Sequence, residues 1–237
     1  MRVHVHSPGR SGPRAWPSAP GDARFIALRP DVPARDAASE LTKVGLNDST
    51  EAVFAHSYLA IPAALAVRES SVALVLVEPA FYDIARGHPD IESHIGTVER
   101  ARLQLAAGDL WGYWTAIRPL MFGGPAQEVT WEEERAAAAE FARRTLPWGH
   151  GLRAEHLNAP RILVVTGGWN DEYEAIAGRL VDAGASHVVL PDMVTALRIT
   201  HDLQRSRPRS LIDRHRLLAA GQAVKNRLRA SRAFRWS

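Results

Sequence analysis

The order of short apolar runs along the chain is the feature that most restricts its fold. Four runs lie in the first third of the 237 residues, separated by segments with helical spacing, and they cover residues 3–6, 23–28, 52–55 and 72–77. Two more runs follow much later, at residues 161–166 and 186–190. Strands that alternate with helices are typical of a parallel sheet with crossover helices. The sequence therefore predicts an α/β fold with a mostly parallel central sheet of about six strands, flanked by helices.

The segment between the fourth and fifth runs has a different character. Residues 84–159 are rich in Ala and Glu at helical spacing and contain four of the seven tryptophans. We predict a helical cap here, inserted between a first core part, residues 1–83, and a second core part, residues 160–237. Two interpretations of its aromatic side chains stay open. Trp111, Trp114 and Phe122 either line an apolar substrate pocket or form a small core of the cap itself.

Composition excludes several classes of chemistry. The chain has no cysteine, which excludes disulfides, thiol nucleophiles and Cys-ligated zinc. Its ten histidines show no His-Glu-x-x-His spacing, and no Gly-rich loop has the form of a phosphate cradle, so we expect no metal and no cofactor. The net charge of +3 arises mainly from the basic residues of segment 205–235, which we interpret as the solvated face of a final helix. No nucleic-acid partner is expected.

The apolar runs are all too short to cross a bilayer, which needs about 20 such residues. The N-terminus also lacks the apolar centre of a signal peptide. We therefore predict a soluble, cytoplasmic protein without a membrane span, whose partner is a small molecule. The sequence leaves the oligomeric state open.

A serine at the apex of a strand, turn and helix pattern is the clearest sign of chemistry. The run 52–55 leads through His56-Ser57-Tyr58 into the apolar segment 60–67. A turn that projects a serine above a sheet edge allows an imidazole to take its proton and backbone N–H groups to receive an oxyanion. The ordinary alternative is that Ser57 only caps a helix N-terminus.

The His56-Ser57-Tyr58 centre resembles the nucleophile elbow of the α/β-hydrolase superfamily, whose usual pattern is Gly-x-Ser-x-Gly. Ala55 and Leu59 stand where that pattern has its glycines. The order of strands and cap resembles the family over nearly the whole chain, apart from two strands that usually come first. The resemblance implies a serine hydrolase that cleaves an ester or amide bond of a small, largely apolar molecule through an acyl-enzyme on Ser57, without a cofactor.

The resemblance also implies positions for the base and the acid. His201 lies in the loop after the last run, where the family has its histidine. Asp171, in the loop after the run 161–166, best matches the position of the acid. Some family members place the acid after the preceding strand of the sheet, where this chain has Glu78. Glu172 is a third candidate, although an acid there commonly serves only the N-terminus of a helix.

The oxyanion hole is where the chain departs most from the family. The N–H of Tyr58 is one implied donor. In the loop after the first run, Ser7 is the other donor if Pro8-Gly9 matches the Pro-Gly of the family's Gly-Gly-Pro-Gly variant. If His6 matches the family's histidine instead, Pro8 stands at the donor position. The neighbouring Pro8 has no N–H to donate. This loop and the bulky Leu59 motivate a second hypothesis, a catalytically impaired α/β-hydrolase-fold protein that binds a ligand or a partner.

Overall fold

The structure is a computed structural model that describes residues 1–8, 12–17, 19–158 and 161–191. The predicted base His201 and the basic segment 205–235 lie outside the described residues. Six strands lie within them. These are β1 (Arg2–His6), β2 (Arg24–Ala27), β3 (Ala52–His56), β4 (Ala73–Val77), β5 (Ile162–Thr166) and β6 (Ser186–Val189).

All six strands are parallel and form one sheet in the order β2-β1-β3-β4-β5-β6. The prediction of an α/β fold with a parallel six-stranded sheet is therefore confirmed. The chain leaves β1 for the edge strand β2 and then returns to the other side of β1 as β3. Such a reversal of strand order opens a crevice at the carboxyl ends of the two strands, and open α/β sheets bind their ligands there. In this sheet the reversal lies between β1, which ends at His6, and β3, which ends at His56.

Seven helices accompany the sheet in the described ranges. They are α1 (Gly12–Ala15), α2 (Ala34–Gly45), α3 (Ala60–Val67), α4 (Pro89–Ala106), α5 (Leu110–Phe122), α6 (Trp131–Arg143) and α7 (Asp171–Asp182). None of them combines the length and the apolar character that a bilayer crossing requires.

The main core lies on one face of the sheet, where the inward side chains of the strands meet α2, α3 and α7. Every residue of β4 is buried, which agrees with its unbroken apolar run Ala-Leu-Val-Leu-Val in the middle of a parallel sheet. Helix α3 buries six of its eight residues, and its Pro62 stands in the first turn, where a missing N–H costs nothing. The core therefore fixes the β3–α3 turn firmly.

Helices α4, α5 and α6 lie between β4 and β5, in the segment predicted to be a cap. They enclose a second apolar cluster that contains Val98, Tyr113, Trp114 and Ile117. The first half of α4 also packs on the main core through Ile91 and Ile95. This helix therefore connects the two clusters.

Candidate functional site

Ser57 occupies a sharp turn at the carboxyl end of β3. Its φ of 54° lies in the left-handed region, which costs a non-glycine residue on the order of 1 kcal/mol or more. The residue opens the single 3₁₀ turn Ser57–Leu59, and α3 follows at Ala60. The residue before α3 is Leu59, and no side chain caps that helix. The cap interpretation of Ser57 therefore finds no support, whereas a strained strand-to-helix turn is the geometry of an activated serine.

Glu78 directly follows β4 and, like Ser57, has a left-handed backbone conformation. Its φ is 44°, and among the described non-glycine residues only Ser57 and Glu78 have a positive φ. The carboxylate is buried, with 4% of the residue exposed. Trp169 donates its indole N–H to Oε1 at 2.6 Å, and His56 Nε2 lies 3.9 Å from Oε2. Residues with a strained backbone cluster at functional sites, so these two positions after adjacent strands mark this edge of the sheet as a candidate site.

The loop after β5 brings further groups to the same sheet edge. Gly168 has a φ of 69°, and a Cβ at this position would lie 2.9 Å from Val189 Cγ1, so both backbone and space favour glycine. Asn170 then caps α7, since its side-chain oxygen accepts hydrogen bonds from the N–H groups of Glu172 and Tyr173 at 2.8 and 3.2 Å. Asp171, the first residue of α7, is exposed to solvent.

The Tyr173 side chain, in the first turn of α7, lies among the groups described so far. Its ring packs edge-on against Trp169, with 6.0 Å between the ring centroids. Burial and the negative charges of Glu78 and Glu172 raise the pKa of the Tyr173 hydroxyl, and its hydrogen-bonding contact with Ser57 lowers it only in part. The phenol is therefore fully protonated at neutral pH.

Next to these groups, a buried polar network joins Tyr82, His94 and Glu172. His94 Nδ1 lies 3.1 Å from Glu172 Oε1 and 3.3 Å from the Tyr82 hydroxyl, and that hydroxyl also donates to Glu172. Burial alone would raise the pKa of Glu172, but the hydrogen bond and charge of His94, with the Tyr82 hydroxyl, lower it below its ordinary value. The ionised Glu172 thus ties α7 to α4.

The described histidines near the site contact groups other than Ser57. His56 faces Glu78, His94 faces Glu172, and His150 Nε2 lies 2.6 Å from the carbonyl oxygen of Leu146. Within the described ranges, no imidazole is hydrogen-bonded to Ser57. The predicted base His201 lies outside these ranges, so its position is not part of this geometry.

The two predicted oxyanion residues lie on either side of the strand-order reversal. Tyr58 follows Ser57 in the 3₁₀ turn, and Ser7 follows β1, the strand that pairs with β3. The Ser7 carbonyl oxygen lies 2.9 Å from Nδ1 of His6. Both residues therefore lie at the carboxyl edge of the sheet, as a site at the reversal requires.

The predicted substrate-binding aromatics lie within the helical insertion. Trp114 is fully buried there and donates its indole N–H to Glu134 at 2.6 Å. Phe122 packs against Trp114 at 5.7 Å, and Trp111 packs edge-on against Trp131 at 5.0 Å. Trp114 thus offers no open surface to a ligand. The three contacts correspond to the alternative that these residues form a core of the insertion.

The sequence patterns do not point to four side chains at the site, namely Tyr82, His94, Trp169 and Tyr173. Trp169 and Tyr173 follow β5 by a few residues, and Tyr82 follows β4 in the same way. Position after a parallel strand was the available signal, since these strand ends share one edge of the sheet. His94 gives no such signal, because it lies in the middle of a helix.

Comparisons of the chain with protein-family models, with curated proteins and with solved structures give no match. In the described part of the chain, no group of three or more His, Asp or Glu side chains has the arrangement of a metal site. The geometry of the carboxyl edge is therefore the basis for a functional proposal.

Proposed function

We propose that this protein is a serine hydrolase that cleaves an ester or amide bond of a small, largely apolar molecule through an acyl-enzyme on Ser57. The observation that carries the proposal is the left-handed backbone of Ser57, at a strand-to-helix turn on the carboxyl edge of a parallel sheet. This is the geometry of a nucleophile elbow, and it supports the resemblance to the α/β-hydrolase superfamily. The exposed indole of Trp169 and the neighbouring Tyr173 ring supply apolar surface for a substrate.

The geometry favours Glu78 as the acid of the mechanism. It is buried and directly follows β4, the neighbour of β3, and the imidazole of His56 lies beside it. Asp171 is exposed at a helix N-terminus, where an acid interacts favourably with the helix dipole. Glu172 already accepts hydrogen bonds from Tyr82 and His94. A buried carboxylate is suited to orienting a catalytic imidazole and stabilising its charged form.

In the proposed reaction, Ser57 Oγ forms a bond to the substrate carbonyl carbon while an imidazole takes the serine proton. His201 remains the proposed source of that imidazole. The imidazolium then gives the proton to the leaving alcohol or amine as its bond to the carbonyl carbon breaks. Water attacks the resulting ester of Ser57 by the same sequence of steps and releases the acid. The reaction needs no cofactor, and we place it in the cytoplasm.

The test is covalent labelling with a fluorophosphonate, followed by intact-mass measurement. Ser57 Oγ forms a bond to phosphorus, fluoride leaves with its electron pair, and the serine proton passes to the imidazole. We expect one adduct on the parent protein and on the control Ser70→Ala, since Ser70 lies in a turn remote from the sheet edge. We expect none on Ser57→Ala, and slower labelling of Glu78→Gln than of Asp171→Asn. A folded parent protein without an adduct would contradict the proposal.

One observation favours a second function, that of a catalytically impaired binding protein. The buried Leu59 stands where the elbow pattern has glycine. This alternative predicts that the parent protein gives no adduct while small apolar ligands still change the fluorescence of Trp169. The labelling experiment therefore separates the two functions.

A further inference from the structure

Hydrogen bonds connect the residues that follow three neighbouring strands of the sheet. The Ser57 carbonyl oxygen, after β3, accepts a hydrogen bond from the Ala80 N–H at 3.2 Å. Glu78, two residues before Ala80 and directly after β4, accepts the indole N–H of Trp169 at 2.6 Å. Trp169 itself lies in the loop between β5 and α7. The indole is therefore linked, through Glu78 and the turn that follows it, to the backbone of the proposed nucleophile.

We propose that Trp169 has two roles in the proposed hydrolysis: its indole N–H positions the acid Glu78, and its exposed ring selects substrates with a planar apolar group. The inference rests on the proposed function and narrows its substrate class to esters and amides that carry an aromatic group. Trp169 is thus a positioning and specificity-determining residue. Substitutions at this one position should change both turnover and selectivity.

The hydrogen bond from Trp169 suits Glu78 to orienting an imidazole. Trp169 donates to Oε1, whereas Oε2 is the oxygen that lies 3.9 Å from Nε2 of His56, the residue before the nucleophile. A buried carboxylate that is held at one oxygen presents the other oxygen in a fixed direction. Removal of the indole N–H would also leave a buried charged group with one hydrogen bond fewer, which is costly. Trp169 therefore acts on the reaction through Glu78.

The exposure of Trp169 is the evidence for a substrate contact. It is 42% exposed, more than any other tryptophan in the described part of the chain. The ring packs edge-on against Tyr173, so two aromatic side chains lie together at the carboxyl edge. Aromatic rings attract one another in offset-stacked and edge-on arrangements. A planar group of a substrate bound at this edge would cover indole surface that is exposed to water in the free protein.

The loop fixes the position of Trp169 before any substrate binds. The preceding residue, Gly168, has a positive φ and donates its N–H to Glu174 Oε1 at 3.1 Å. The following residue, Asn170, accepts two backbone N–H groups from the first turn of α7. Both neighbours of Trp169 are therefore held by α7. A preorganised group contributes more to binding and catalysis, because little order has to be imposed when the substrate arrives.

The first experiment measures the rate of fluorophosphonate labelling in a double-mutant cycle. Trp169→Phe keeps an aromatic ring but removes the N–H, and we expect the rate to fall about 10- to 100-fold, because a hydrogen bond to a charged group is lost. In Glu78→Gln, which has no charge to stabilise an imidazolium, the same substitution should change the rate less than about twofold. The control Trp131→Phe, in the helical insertion, should be labelled at the parental rate.

The second experiment compares kcat/KM for phenyl acetate, methyl benzoate and ethyl acetate, followed by pH-stat titration. The first two esters carry an aromatic ring on the alcohol side and on the acyl side of the bond, and ethyl acetate carries none. Trp169→Ala and Trp169→Phe both lack the N–H, so their difference isolates the ring. We expect Trp169→Ala to lower kcat/KM about 3- to 10-fold more for one of the aromatic esters than for ethyl acetate.

The outcomes separate this inference from the proposed function. If the parent protein is labelled but Trp169→Phe keeps the parental rate, or slows labelling equally in Glu78→Gln, the positioning role is overturned while the adduct on Ser57 still supports a hydrolase. Equal losses for all three esters overturn the selectivity. A folded parent protein without an adduct overturns both proposals. If Trp169→Phe does not fold, benzothienylalanine at position 169 keeps the ring size and replaces the N–H by sulfur, and the same labelling rates are expected.

Discussion

At the scale of single residues, the left-handed backbone of Ser57 has a measurable energetic cost. Glycine adopts a φ of 54° without the clash of a Cβ atom, whereas alanine keeps that clash. We expect Ser57→Gly to have a free energy of unfolding about 1 kcal/mol higher than that of Ser57→Ala, as measured by urea denaturation. Both variants lack the hydroxyl, so the difference isolates the backbone. A less stable glycine variant would show that the turn at Ser57 is unstrained.

The sequence located Ser57 because its position depends on a local pattern, a β run that meets an apolar helix. It also placed Glu78 among the candidate acids, since one residue after a strand end is a local property. Local sequence patterns of this kind do not predict that Tyr173 lies at the site. Its place beside Trp169 at the sheet edge depends on where Asn170 begins α7, and that does not follow from periodicity.

At the scale of elements, the strands were predictable because buried parallel strands have continuous apolar runs, as in β4. The role of the aromatic residues in the helical insertion was not predictable in the same way. An apolar stripe on a helix has the same spacing whether it faces a neighbouring helix or a substrate. Only the packing of α4, α5 and α6 shows that Trp114 is enclosed between them.

The enclosure of Trp114 predicts a structural phenotype. Trp114→Ala removes a fully buried ring and its hydrogen bond to Glu134, so we expect the free energy of unfolding to fall by about 3–5 kcal/mol. Trp111→Ala is the control, because Trp111 is only partly buried and should cost less. Urea denaturation measures both. A Trp114→Ala protein with parental stability and a raised KM would instead favour a substrate pocket.

At the scale of the whole molecule, the parallel sheet followed from the alternation of strands and helices, but the order of its strands did not. That order depends on the side toward which each connection crosses, and the reversal between β1 and β3 is therefore visible only in the fold. The reversal places the carboxyl ends of β1 and β3 side by side. The order of residues along the chain shows which residues follow each strand, but it does not show which strand ends lie next to each other in the sheet.

His4 links the stability of the whole molecule to pH. It is 2% exposed in the middle of β1, where its ring stacks on Phe54 of β3 at 4.3 Å, with Trp16 edge-on at 5.4 Å. Nδ1 has no hydrogen-bond partner among the described residues. Burial lowers the pKa of His4 from 6.5 to about 4.

The sign of the pH dependence follows from the protons bound by each state. Above pH 6.5, His4 is neutral in both the folded and the unfolded chain, so it contributes no dependence. Between pH 6.5 and 4 only the unfolded chain binds the proton, and the free energy of unfolding falls by about 1.4 kcal/mol per pH unit. We expect His4→Phe to remove this contribution, whereas a substitution of the exposed His156 by Gln keeps it. Urea denaturation from pH 7 to 4 gives the slopes, and equal slopes for His4→Phe and the parent would show that His4 takes up its proton without unfolding.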